Sequence, residues 1–105
     1  MTDDLLAAKT KRAEFAALEA EHRMNELGAE LARRLGVEAA AEEIMKRVEE
    51  QFYRFADAGA ARVCGLVDPD TANIRAALQI EAAEMLTRVA NDLEALAAAH
   101  RGDEA

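Results

Sequence analysis

The chain has 105 residues, 32% of them charged, with a net charge of −8 at neutral pH. That length allows one domain, and the acidic balance disfavours nonspecific attraction of the whole chain to nucleic acid or anionic lipid. Alanine supplies 26 residues and, leaving out Met1, large apolar residues (Leu, Ile, Val, Met, Phe, Tyr) supply another 26, enough for seams between helices but thin for a self-sufficient globule.

Composition and period together predict an all-α fold: a long N-terminal helix over about 3–35, then an antiparallel hairpin of helices over about 38–67 and 69–99. Residues 1–105 read as a single helical oligomerisation domain. Cys64 is the only cysteine, so no intramolecular disulfide can form and a reducing compartment is the default. Met1-Thr2-Asp3-Asp4 is acidic where a signal peptide needs basic residues. No apolar run approaches the ~20 residues that span a bilayer. A cytoplasmic protein without a membrane partner is expected.

In the first helix, Thr2 with Asp3 and Asp4 suits the positive end of the dipole, and Gly36 is a natural C-cap. Its seam reads Ala13, Ala17, Ala20, Met24, Leu27, Leu31 and Leu35. Phe15 and Leu18 lie on a second face, and Gly28 is a place where the helix could kink. The second helix carries Ile44, Val48, Phe52, Phe55, Gly59, Val63 and Leu66 on its seam; the third carries Ile74, Leu78, Ala82, Met85, Val89, Leu93 and Leu96. Both advance one apolar position per ~3.7 residues, close to the straight helical period, which suits two helices packed antiparallel. Between them, Pro69 is the only proline; Asp68 reads as the N-cap, Pro69 as the first helical residue and Asp70 as a dipole-compatible charge. The segment after Ala99 is expected to fray.

Charge is uneven. Residues 1–35 carry seven acids and six bases, whereas residues 68–105 carry eight and three. A polyanion would be met through Lys9, Lys11 and Arg12, through Arg33 and Arg34, or through Lys46 and Arg47. Leu31-Ala32-Arg33-Arg34-Leu35-Gly36-Val37 followed by Met45 has the apolar and glycine spacing of a helix-turn-helix, although Glu42 stands where a buried aliphatic belongs and Glu43 and Glu49 flank the supposed recognition helix. The same residues make an ordinary helical corner.

Glu19 and His22 form Glu-x-x-His, one ligand pair of a ferritin-like di-iron site, which would need inward carboxylates such as Glu81 and Glu84. With one such pair lying off the seam, a solvated helix face is the simpler reading. Phe52-Tyr53-Arg54-Phe55 could stack bases, but Phe52 and Phe55 fit the seam and leave only Tyr53 for an interface. Cys64 reads as a small buried hydrophobe, and His100 as a charge at a helix C-terminus. No residue set forms a catalytic signature, so no enzyme activity, cofactor or metal is expected.

From Phe55 to Ala90 the chain resembles the C-terminal part of phage small terminase subunits, in Ala61, Val63, Leu66, Val67, Asp68, Asp70, Arg75, Ala82 and Ala83. The resemblance implies a non-enzymatic ring oligomer that binds viral duplex DNA and presents it to a packaging ATPase. Self-association would use Phe15, Leu18 and Tyr53 with Ile80, Ala83, Ala90 and Ala97. The alternatives are a ferritin-like metal oxidoreductase assembled across subunits, or a small helical adaptor for one protein partner.

Overall fold

A computed structural model describes residues 2–102, with side chains from residue 4 onward. The described chain is three helices: α1 (Thr2–Leu35), α2 (Val37–Cys64) and α3 (Thr71–Gly102). The molecule measures 53 × 22 × 18 Å. Its length is that of one helix, since the 34 residues of α1 rise roughly 51 Å at ~1.5 Å each. The all-α class and the α2–α3 hairpin are therefore as expected.

α1 runs unbroken through Gly28. The missing side chain there admits α2: a Cβ on Gly28 would lie 3.5 Å from Ile44 Cδ1. Gly36 alone joins α1 to α2, with φ 92° and ψ 155°. That conformation is essentially restricted to glycine. Its N–H donates to Ala32 O (2.9 Å) and its carbonyl accepts from the Ala40 N–H (3.0 Å), so both helical ladders end on this one residue. Gly28 and Ile44 stand eight residues to either side of it, roughly 12 Å along each helix. A contact at that distance requires α2 to fold back along α1. A helix-turn-helix crosses much more steeply, so this segment is a hairpin corner, and Met45 is 63% exposed on it.

The second connection spans 65–70 and differs in detail from the expectation. α2 stops at Cys64, and α3 starts at Thr71 with Asp70 as its cap. The Asp70 carboxylate accepts the Asn73 N–H (2.8 Å) and the Asp70 carbonyl accepts the Ile74 N–H (2.9 Å). Asp68 lies outside the helix, and its carbonyl accepts the Asn73 side-chain amide (2.9 Å). Pro69 consequently precedes the cap instead of opening the helix. Cys64 is exposed, not buried.

α3 also continues past Ala99. Arg101 Nε donates to Glu30 Oε2 (2.7 Å), and Arg101 Nη1 lies 3.1 Å from Glu94 Oε1. The last turn of α3 is thus tied to α1 where the sequence suggests fraying.

The three helices meet fully only near Gly36. There Leu27 and Leu31 of α1, Ala40 of α2, and Val89, Leu93 and Ala97 of α3 form one core, flanked by Met24, Leu35, Ile44, Val48 and Leu96. Leu31, Val89 and Leu93 have no solvent exposure; burying a side chain of this size contributes ~1.5–3 kcal/mol. Toward Pro69 the buried cluster is Ala13, Ile80 and Ala83, with Leu6, Ala16 and Ala17 beside it, and α2 contributes nothing to it.

The α1 seam is as the period predicts. α3 is turned further toward α1 than expected. Ile80, Ala83, Ala90 and Ala97 are 8%, 3%, 0% and 0% exposed, and the α1–α3 interface is the most extensive of the three. These four residues are internal packing, not a surface for other copies. The small side chains of Ala83, Ala90 and Ala97 let the parallel helices α1 and α3 approach closely. The turn of α3 leaves part of the expected α2–α3 seam outside, so Phe52 is 54% and Leu78 37% exposed.

Candidate functional site

Because α1 and α2 diverge away from Gly36, the half of the molecule toward Pro69 is open on two sides. On one side a groove of about 500 Å³ runs between α1 and α2. Its floor is Ala13 and Ala16 of α1 with Ile80 and Ala83 of α3, and Lys9, Arg12, Arg62, Glu84 and Arg88 line its walls.

The groove's charges are held by a network between α2 and α3. Arg62 Nε donates to Glu81 Oε1 at 2.6 Å, and Arg62 Nη2 lies 3.5 Å from Glu84 Oε1. The Glu81 side chain is only 5% exposed; the pair compensates Oε1, while Oε2 is buried without a hydrogen-bond partner among the described residues. Arg88 Nε donates to Gln51 Oε1 (2.9 Å), whose Nε2 donates to Asp92 Oδ2 (3.1 Å). The Arg88 plane is thereby fixed, and its Nη2 is buried without a hydrogen-bond partner among the described residues.

On the other side, a second hollow of about 460 Å³ is lined by Phe55, Ile74, Leu78 and Ala82, with Thr71, Arg75 and Gln79 at its edge. Phe52 stands against Phe55, their ring centroids 6.1 Å apart. This side is almost wholly apolar, and Tyr53 is 68% exposed on the same helix.

The cations singled out in the sequence do not gather into one site. Lys9, Lys11 and Arg12 are exposed near the start of α1; Arg33 is exposed at its end, roughly 36 Å away along the helix. Arg34 is paired with Glu30 (3.2 Å) and Arg47 with Glu43, while Lys46 is exposed. Lys9 and Arg12 join Arg62 and Arg88 across the groove, and sequence reasoning missed the second two. Their signal was present: Glu81 lies three residues after Leu78 and four before Met85, and so on the seam side of α3, where a carboxylate requires a cation from a neighbour.

Phe15 and Leu18 are 71% and 63% exposed on α1. Glu19 is exposed, and His22 pairs with Glu26 (3.1 Å) with its side chain 74% exposed. Among the described residues no group of three His, Cys, Asp or Glu side chains could hold a metal ion, so the Glu-x-x-His pair finds no inward carboxylates within one chain.

The Glu30 carboxyl is held below its ordinary range. The hydrogen bond from Arg101 is the main cause, opposed by partial burial and assisted by Arg34. Comparison with protein-family models, curated proteins and solved structures gives no match in any of the three. Among the described residues no helix is long and apolar enough to cross a membrane.

Proposed function

We propose that the chain is a non-enzymatic assembly protein whose copies associate through the open apolar side of the α2–α3 hairpin. The observation that carries this reading is the exposure of Phe52 beside a hollow lined by Phe55, Ile74, Leu78 and Ala82. Contiguous apolar surface with a polar edge is what association surfaces present, and aromatic residues are enriched at their centres. Tyr53 stays in this interface, and Phe15 and Leu18 offer a second contact on α1. Ile80, Ala83, Ala90 and Ala97 drop out of it.

In its finer form, the assembled protein is a small-terminase-like component that binds duplex DNA and recruits a packaging ATPase. The resemblance over Phe55–Ala90 supports this form, as do the two exposed cationic stretches around Lys9 and Arg33. Gathering copies would concentrate those cations against a polyanion despite the net acidity of each chain.

Light scattering or native mass spectrometry of the full chain at micromolar concentration tests the assembly. A multimer is expected, and Phe52→Glu should convert it to a folded monomer. A wild-type monomer at hundreds of micromolar sinks the reading. For the finer form, duplex DNA affinity should fall steeply with salt, and Arg33→Ala should reduce the slope of the logarithmic plot by about one. A multimer with no DNA binding would keep the assembly and remove the packaging role.

A further inference from the structure

The groove between α1 and α2 is independent of the apolar side. At ~100° per residue, Ile80 on its floor and Leu78 in the apolar hollow point about 160° apart on α3. We propose that this groove is a binding site for a small amphipathic anion: one carboxylate or phosphate head on a short apolar body.

Its volume of about 500 Å³ is that of a small-molecule site, ~300–1,000 Å³. The floor is apolar, three alanines and Ile80, which offers a surface for a hydrocarbon body. The walls reverse the charge of the chain. Four cations (Lys9, Arg12, Arg62, Arg88) stand against two carboxylates (Glu81, Glu84), a surplus of two positive charges in a protein of net charge −8. Among the described residues Lys9 and Arg12 have no ion pair, and Glu84 is shared between Arg62 at 3.5 Å and Arg88 at 4.0 Å.

Arg88 gives the site its direction. Gln51, itself bonded to Asp92, holds the guanidinium in place, and Nη2 of Arg88, like Oε2 of Glu81, is buried without a hydrogen-bond partner among the described residues. A buried donor without a partner is costly, and the fork of an arginine suits an anionic oxygen. A neutral molecule would leave the surplus charge uncompensated, and a cation would be repelled. An inorganic anion would leave the floor of Ala13, Ala16, Ile80 and Ala83 wet. A nucleic acid backbone carries no hydrocarbon body to cover that apolar floor, so the small amphipathic anion is favoured over the polyanion.

The test is an amide-resolved NMR titration of the full chain with octanoate and with octyl phosphate, using octylamine, inorganic phosphate and a short DNA duplex as controls. The amides of Ala13, Ala16, Ala83 and Thr87 should shift with one or both anions. Octanoate alone identifies a carboxylate head, octyl phosphate alone a phosphate head, and both together a site that reads charge. Arg88→Gln should weaken binding roughly tenfold or more, since a hydrogen bond to a charged group contributes ~1.5–3 kcal/mol. Because Arg88 also braces α2 against α3, replacement of the exposed Arg12, Arg12→Gln, is the second variant, expected to weaken binding several-fold in a fully folded chain. The proposal is overturned by equal shifts with octylamine, by inorganic phosphate binding as tightly as octyl phosphate, or by shifts confined to Phe55, Ile74 and Leu78. It is equally overturned if neither amphiphile shifts the groove amides, whether or not the DNA duplex does.

Discussion

Near Gly36 three helices share one core, and near Pro69 only two do. The difference lies in side-chain size. Leu27, Leu31, Val89 and Leu93 fill the space between helices at the first end. At the second end the residues between α1 and α3 are mostly alanines, and the helices are drawn together as a pair while α2 leans on α3 alone. One chain of nearly uniform helical propensity thus holds a closed half and an open half. Both candidate binding surfaces belong to the open one. A tightly packed end supplies the rigidity against which the other can leave cations and aromatics unburied.

Truncation of the two cores gives the largest test of this contrast. Leu93→Ala should cost about 3–5 kcal/mol in urea unfolding, because a fully enclosed site relaxes little around a cavity. Ile80→Ala should cost only about 2 kcal/mol, since its wall adjoins the groove and neighbours can shift into the gap. Equal costs would mean that the two ends are packed alike.

The two connections should differ in the same sense. Gly36→Ala forces a side chain into backbone space reserved for glycine and should cost about 1–3 kcal/mol. Asp70→Ala removes one helix cap and should cost about 1 kcal/mol. A larger loss at Asp70, read from thermal unfolding of both variants, would reverse the assignment of the rigid end.

The smallest effect concerns the Arg101–Glu30 tie, which is solvated and therefore weak. The folded pKa of Glu30 is lowered from 4.5. Its contribution is therefore fully present above that ordinary value and is lost as pH falls through the lowered folded one. The urea midpoint of Glu30→Gln should lie slightly below that of the wild type at neutral pH, and the gap should close in acid. A gap unchanged in acid would show that charge plays no part in the tie.

Much of the fold is legible in the residues. The α1 seam, the glycine corner and the number of helices follow from period and punctuation, because each depends on local chemistry. The rotation of α3 does not. Its apolar face and its alanine face both repeat with the helix, and period fixes the angle between two stripes without naming the partner of either. Alanine is the reason, since it serves equally as core, as filler or as a close-packing surface. The cap is ambiguous for a similar reason: Asp68 and Asp70 are both good caps, and the choice turns on which carboxylate receives the Asn73 backbone N–H. Half of the groove was readable in Lys9 and Arg12. The other half depends on Arg62 meeting Glu81 across a helical reversal, a juxtaposition that no linear spacing reveals.

The parallel alignment of α1 with α3 also shapes how the chain can fold. Each hairpin joins neighbours in sequence, but the widest interface joins partners about seventy positions apart, as in Arg23 with Asn91 (68 apart) and Arg101 with Glu30 (71 apart). Closing so long a loop costs conformational entropy before any contact rewards it, and distant contacts slow folding relative to a bundle held by local ones. The helices and both corners can form early from local signals. The most extensive interface is topologically the last that the chain can complete.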